Sequence, residues 1–431
     1  MEEGRTYRFY VLGILTLSGM FNIADRLILS ILLEDIKKDF LFTDTQIGLI
    51  TGIAFTLFYV IFGIPIAWLA DRKNRKTIIA LSLASWSLMT ALCGAATGFW
   101  SLFLARMGVG IGESGSGPAG LSLLSDYFRK HELGRAMGFS TLGATVGTAV
   151  GLMAGGYFAQ LLGWRLAFVM LGIPGILLAL ILYFTVKEPP RGRYYPGAVK
   201  TIANERFGEA LKSWFKTIRS LAANRLYVGV TLAYACMIVI GYAFATWLAA
   251  IMLRNFNVSV GDVGFYLGLA FLLGGLPGPI IGGFLTDYLV GINPRWRAWL
   301  PAIATFLCLP IYYLCLTSTS FWWFLGIFSC GYLVFLIAQP PTISLLQLSV
   351  RPDQRAMAVA VGMLFNNLIG QALGSYLVGA TSTSLAESQG PMALSYAVLG
   401  VSAAFAVPAV LLYLWTARQI SADFETTDRQ G

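Results

Sequence analysis

The chain alternates between long apolar stretches and short polar ones. Twelve apolar stretches are about 20 residues or longer, each long enough to cross a bilayer as a helix. Their approximate limits are 9–33, 45–70, 75–97, 99–125, 134–162 and 165–186, then 226–253, 260–288, 298–317, 320–349, 355–383 and 391–416. The longest polar stretch, 187–225, divides them six and six. It holds Pro189, Pro190 and Pro196, followed by a basic amphipathic helix from Glu205 to Arg219. Such a helix lies on a membrane face. The pattern predicts an all-α membrane protein: a six-helix bundle over 1–187, a linker over 188–224, and a second bundle with a short tail over 225–431.

The halves repeat. Residues 48–71 align without a gap on 264–287, so that Gly48, Gly52, Phe55 and Asp71 return as Gly264, Gly268, Phe271 and Asp287. Pro118, Ser122-Leu-Leu124 and Arg135-Ala-Met137 return as Pro340, Ser344-Leu-Leu346 and Arg355-Ala-Met357. Six crossings return the chain to the side it started from, so the two repeats are parallel.

Composition agrees with this reading. The 431 residues are 57% hydrophobic and 12% charged, with a mean hydropathy of +0.71. A soluble domain of this size does not have that balance. The net charge of +9 is spread over many short loops, which speaks for topology rather than nucleic-acid binding. With both termini on the cytoplasmic side, 24 Lys and Arg fall in inner segments and 4 in outer ones. That asymmetry orients the chain in a plasma (inner) membrane. The first apolar stretch carries Asp25 and Arg26 and is too long for a signal-peptide core, so it is read as a retained span. Cys93, Cys236, Cys308, Cys315 and Cys330 sit in apolar stretches without metal-ligand spacing and are expected as buried free thiols. No metal or cofactor site is expected.

Charges inside spans carry the candidate chemistry. Arg106, Gly110 and Glu113 share one helix face at i, i+4 and i+7. An intramembrane charge costs at least about 2.5–3.5 kcal/mol unless it faces water or a partner, and it marks an ion or proton pathway by default. The plainer alternative is a structural ion pair that fastens helices. Gly110-x-Gly112-x-x-Gly115 follows no strand and is not a dinucleotide loop. Gly112-Glu-Ser114-Gly has no base beside its serine, since the only histidine, His131, falls in a loop. No enzyme is expected.

Ala67-Trp-Leu-Ala-Asp71-Arg72-Lys-Asn74-Arg75-Lys76 resembles the signature between spans 2 and 3 of the major facilitator superfamily, normally G-x-x-x-D-R-x-G-R-R/K. Asn74 replaces a glycine there, and Asn tolerates a left-handed turn. Gly163-Trp-Arg165-Leu-Ala-Phe168 resembles the family's entry into span 6. Gly147-x-x-x-Gly151-Leu152-x-x-Gly155-Gly is similar to the antiporter motif of span 5, but Leu152 replaces its proline, leaving symport and antiport open. Close helix packing through small residues accounts for the same glycines. Within the superfamily, Asn22-Ile-Ala-Asp25-Arg26, Asp71 to Lys76 and Arg106 to Glu113 together resemble the spinster-type lipid transporters. Anion-cation symporters share an Arg in span 1 and a Glu in span 4.

The resemblance implies twelve transmembrane helices in two parallel six-helix repeats, with spans 1 and 4 lining a cavity. Asp25, Arg26, Arg106 and Glu113 then form a net-neutral cluster for proton coupling, with Arg106 exchanging between the carboxylates. The loop motif implies a cytoplasmic gate of Asp71, Arg72, Arg75 and Asp126, in which Asp71 faces the start of span 11 and Arg75 or Arg72 pairs with Asp126. The second half offers no deep charge. Its candidate cavity residues are Tyr234, Tyr242, Trp247, Tyr332, Gln339, Asn366 and Asn367, joined by Asn22 of the first half. A charged wall and an aromatic wall suit an amphiphilic substrate. The expectation is a monomeric, proton-coupled transporter of a lysolipid or sphingolipid-like molecule. A symporter of small organic anions is the alternative, and a receptor on a transporter fold a more distant one.

Overall fold

The computed structural model describes residues 4–194, 207–351 and 354–420. Glu205 and Arg206 of the predicted linker helix, Pro196, and the tail from Ser421 with Arg429 lie outside them. The described chain runs through α1 (Arg5–Phe40), α2 (Asp44–Gly48), a π-helical turn (Leu49–Ile53) and α3 (Ala54–Ala70). It continues through α4 (Arg75–Cys93), α5 (Phe99–Glu113), α6 (Ser116–Tyr127), α7 (Lys130–Thr185), α8 (Phe207–Ala223) and α9 (Arg225–Asn255). Then follow α10 (Val260–Gly275), α11 (Pro277–Ile292), α12 (Trp296–Leu316), α13 (Phe321–Ile337), α14 (Gln339–Leu348), α15 (Arg355–Gln389) and α16 (Ala393–Gln419).

Among the described residues, nine helical stretches are long and apolar enough to cross a membrane by length and composition. Two of them are long enough for two crossings, His131–Thr185 and Met357–Gln419. The first turns back at Gly163, whose φ of 82° is open to a residue without Cβ. Its early part runs beside α1, and its late part returns along α4 to place Tyr183 over Lys76. The second turns at Gly390, φ 53°. Phe99–Tyr127, with its charges, supplies the remaining crossing, so the described helices make twelve passes.

The chain forms two compact units. The first comprises the described parts of Met1–Phe42, Ile53–Lys212 and Val258–Gly268. Here the glycine ridge of α7 lies against α1: a Cβ on Gly151 would come within 2.7 Å of the Ala24 Cα. The two backbones therefore touch where α1 carries Asp25 and Arg26. Val258–Gly268 packs on α7 in the same way, and a Cβ on Gly268 would lie 2.9 Å from the Ala149 carbonyl oxygen.

The second unit comprises the described parts of Thr43–Gly52, Ser213–Asn257 and Leu269–Gly431. Thr43–Gly52 packs on α15, where a Cβ on Gly52 would lie 2.9 Å from the Ala372 carbonyl oxygen. The aligned glycines of the sequence repeat thus do the same job, Gly52 against α15 and Gly268 against α7. Each unit takes in one short segment from the other six-span half. Thr43–Gly52 is clasped at its start. Arg254 donates to both carboxylate oxygens of Asp44 at 2.9 and 2.8 Å, and the Ser382 hydroxyl donates to Asp44 at 2.7 Å.

Two local expectations change. Asn74 has φ −63° and is not left-handed; it caps α4, its side-chain oxygen accepting from the Thr77 amide at 3.1 Å. The thiols of Cys93, Cys308 and Cys315 are buried, but Cys236 is half-buried and Cys330 is exposed on the outside of its helix. Trp247 shows no free face toward a cavity either. It is 0% exposed, its indole N–H donates to the Ser375 carbonyl at 3.1 Å, and its ring meets Gly379. Its role is to lock α9 to α15.

Replacing Trp247 with Ala should therefore lower stability by about 3–5 kcal/mol, as for other buried aromatics. Thermal unfolding in detergent checks this. A variant that unfolds like the parent would return Trp247 to the cavity wall.

Candidate functional site

The charged residues of the first unit converge on one ring. Arg26 lies over Phe55 at 4.8 Å and over Tyr59 at 5.1 Å, while Arg106 approaches Phe55 at 5.4 Å. A cation near an aromatic face is attracted by the ring quadrupole, and more so away from water. Phe55 was not singled out in the sequence, although its return as Phe271 in the repeat was a signal. Two glycines of α5 let the helices close around it. A Cβ on Gly110 would meet the Phe55 carbonyl, and one on Gly112 would lie 2.6 Å from the Trp86 nitrogen.

Arg106 lies within electrostatic reach of both acids, Asp25 and Glu113. Arg26 holds Glu113, its Nε donating to Oε2 at 2.6 Å. Arg106, 1% exposed, reaches the backbone carbonyl of Asp25 at 3.4 Å. Arg26 and Glu113 meet beside the faces of Phe55 and Tyr59, while Arg106, two turns before Glu113 on α5, turns to α1. Asp25 is 0% exposed, and neither carboxylate oxygen has a hydrogen-bond partner among the described residues. Thr90 and Trp86 of α4 stand beside it, residues that sequence reasoning missed. Asn22 sits beside Glu113. The four ionisable groups sum to zero charge. Adding a proton to Glu113 would release Arg26 from its partner, a large change in a low-dielectric site.

The second unit has an aromatic counterpart. Phe271, the repeat partner of Phe55, packs edge-on to Tyr332 at 4.8 Å, and Tyr332 stacks on Phe335 at 6.4 Å. Tyr242 lies near both Tyr234 and Tyr332, and its hydroxyl donates to Asn367 at 3.5 Å. Tyr332, Tyr242, Asn367 and Gln339 are half-buried. Asn366 is enclosed, with neither amide atom bonded among the described residues, and Tyr234 is buried. No group of three potential metal ligands occurs among the described residues.

Around the α3–α4 turn, Arg75 is the hub. It is 1% exposed and uses every edge of its guanidinium. It donates to Asp126 at 2.5 Å, Glu188 at 2.7 Å, the Ser122 carbonyl at 2.9 Å and the Pro189 carbonyl at 3.1 Å. Only the planar, five-donor guanidinium of Arg can serve four acceptors in this way. Arg72 instead stacks over Trp68 at 4.5 Å. Asp71 is exposed at the end of α3, with Arg72, Arg75 and Arg191 as its charged neighbours. The chain after α7 straps this turn: Glu188 accepts from the Lys76 amide at 2.9 Å, and Arg191 donates to the carbonyls of Ala70 and Lys73. Glu188 and Arg191 were not anticipated, because nothing in a proline-rich exit from a span marks a folded-back strap.

Comparison with known proteins agrees with this architecture. Residues 15–375 match the family model of the Major Facilitator Superfamily. An MFS-type efflux pump of Mycolicibacterium smegmatis is 32% identical, covering 96% of this chain and 94% of that protein. A protein described as a probable galactarate/D-glucarate transporter of Bacillus subtilis is 30% identical over 75% of each chain. Human protein spinster homolog 1 is 26% identical over 89% of this chain and 75% of its own. The crystal structure of a bacterial homolog of the human lysosomal transporter Spinster, inward-facing and unoccupied, superposes with a TM-score of 0.82. It has 29% identity and covers 96% of this chain and 98% of its own. The chain belongs to the major facilitator superfamily, as a multi-pass membrane transporter of the spinster-related type and not an enzyme.

Proposed function

We propose that the protein is a proton-coupled secondary transporter that moves an amphiphilic substrate, of lysolipid or sphingolipid type, by alternating access. One observation carries this reading. At the same position of the two repeats, Phe55 supports two arginines and Phe271 supports Tyr332. A cluster of charge and a cluster of aromatic carbon suit a molecule with an ionic head and an apolar body. Asp25, Glu113, Arg26 and Arg106 form the proton-sensitive cluster. Asn22, Tyr234, Tyr242, Tyr332, Gln339, Asn366 and Asn367 are the groups offered to the substrate. Asp71, Arg72, Arg75 and Asp126 form the gate, on the cytoplasmic side together with both termini, a reading supported by the excess of Lys and Arg in the loops of that side. The chain works as a monomer in a plasma (inner) membrane, its partners being substrate, protons and lipid, with no nucleic acid and no cofactor.

A second reading has its own support. The two arginines near Phe55, and the likeness to the Bacillus subtilis protein, favour symport of a small organic anion such as a sugar acid. Uptake of lysolipids and of sugar acids into proteoliposomes, each under a pH gradient, separates the two. Transport of the sugar acid alone would replace the amphiphile.

Asp25→Asn and Glu113→Gln should each reduce proton-driven transport at least about tenfold while leaving the protein folded, since neither residue can then take up a proton. Turnover that keeps its pH dependence in both variants would make the cluster structural. Tyr332→Ala should weaken binding of a lysolipid about three- to tenfold, the worth of an aromatic contact, and leave the pH profile in place. Unchanged lysolipid affinity by fluorescence titration would remove Tyr332 from the site. Asp71→Asn should shift the gate equilibrium toward inward-open about fivefold, as expected for an exposed contact worth about 1 kcal/mol. Spin-label distances across the cytoplasmic side that match the parent would sink that assignment.

A further inference from the structure

Helix α8 has two faces. With about 100° between successive residues, Leu211, Trp214, Ile218 and Leu221 fall on one side and Lys212, Lys216 and Arg219 on the other. The apolar side is partly covered: Leu211, Trp214 and Ile218 are half-buried and Leu221 is buried. The three cations are all exposed. Phe215 lies on the seam between the faces and is 64% exposed. The helix carries one carboxylate, Glu209, against those three cations.

The end of α8 is fixed at a definite level. Leu221 belongs to a core with Tyr227, Ala298, Leu345 and Ile420, and Trp299 packs on it. Trp299 meets Trp296 edge-on at 5.6 Å, at the start of α12. Paired tryptophans at the mouth of a span mark the boundary between acyl chains and headgroups. Leu221 therefore ties α8 to the level of those tryptophans, where headgroups are expected. At that depth Phe215 can enter the acyl boundary, and the long stems of Lys212, Lys216 and Arg219 can raise their charges to the phosphates.

We propose that α8 is a docking helix for anionic phospholipid headgroups of the leaflet on the linker side. The partner is identified by charge and shape together. A row of exposed cations beside an exposed aromatic ring, held at interface depth, complements an anionic bilayer surface. A soluble anion would leave Phe215 without a role, and zwitterionic lipid would leave the cations without one.

The test uses the full chain in nanodiscs of phosphatidylcholine and of an equal mixture with phosphatidylglycerol, read by hydrogen exchange of the α8 amides. Each cation near an anionic surface contributes about fivefold, so exchange over Leu211–Arg219 should slow at least about tenfold in the anionic disc. The combined variant K212Q/K216Q/R219Q should abolish the difference, with α9 exchange unchanged. Raising the salt concentration should abolish it in the unmodified chain, since screened surface charge no longer attracts. That arm tests the proposal even if the variant misfolds. Equal exchange in the two discs, or a difference that survives salt, would overturn the proposal. So would protection in phosphatidylcholine on adding soluble glycerol phosphate, which would assign the cations to a free anion.

Discussion

A guanidinium with little or no access to water has to be surrounded by something that accepts its charge, and this requirement shapes the first unit. Three arginines meet it in three ways. Arg75 is wrapped by two carboxylates and two backbone carbonyls. Arg26 has one carboxylate and two rings. Arg106 has a backbone carbonyl and the face of the same Phe55 ring. This ordering, from most to least satisfied, runs from the part of the fold that must hold to the part suited to change. A buried ion pair adds little net stability but is costly to break halfway. Asp25 and Arg106 are the least satisfied of these groups, joined only through the Asp25 backbone carbonyl. The glycines of α5 and α7 serve this arrangement by letting backbones touch, so that short distances separate the charges from their partners.

The internal repeat shows one scaffold used for two chemistries. Gly52 and Gly268 keep the same packing duty, because a close approach of helices tolerates no side chain. Phe55 and Phe271 keep the same ring but not the same company. Cations gather around the first and tyrosine around the second. Backbone contacts preserved across the halves free the neighbouring side chains to diverge.

Much of the fold was legible because the bilayer enforces a simple code. Spans must be apolar and about 20 residues long, so their number, order and repeat could be read directly. The turn at Gly163 was within reach for the same reason, since it separates two apolar runs of span length. Side-chain facing was much less legible. Trp247 and Tyr332 have similar apolar surroundings in sequence, yet one is enclosed between helices and the other half-open. Only the crossing of α9 and α15 decides that. The choice of Arg26 over Arg106 for Glu113 likewise depends on the rotation of α1 against α5, which spacing within a single helix does not encode. The clasp of Asp44 by Arg254 and Ser382 joins residues more than two hundred positions apart and leaves no local trace.

The π-helical turn at Leu49–Ile53 sits where the chain leaves one unit and enters the other. A π turn absorbs one residue more than an α-helical path does. Removing that residue would close the turn into a regular helix whose two flanks keep their facing, so Asp44 would still meet Arg254 and Gly48 would still lie on α15. A deletion inside α2, with no bulge to take it up, would instead turn Asp44 by about 100° around the axis, away from Arg254. In this stretch a change in chain length is silent at one turn and becomes a change in angle at the next.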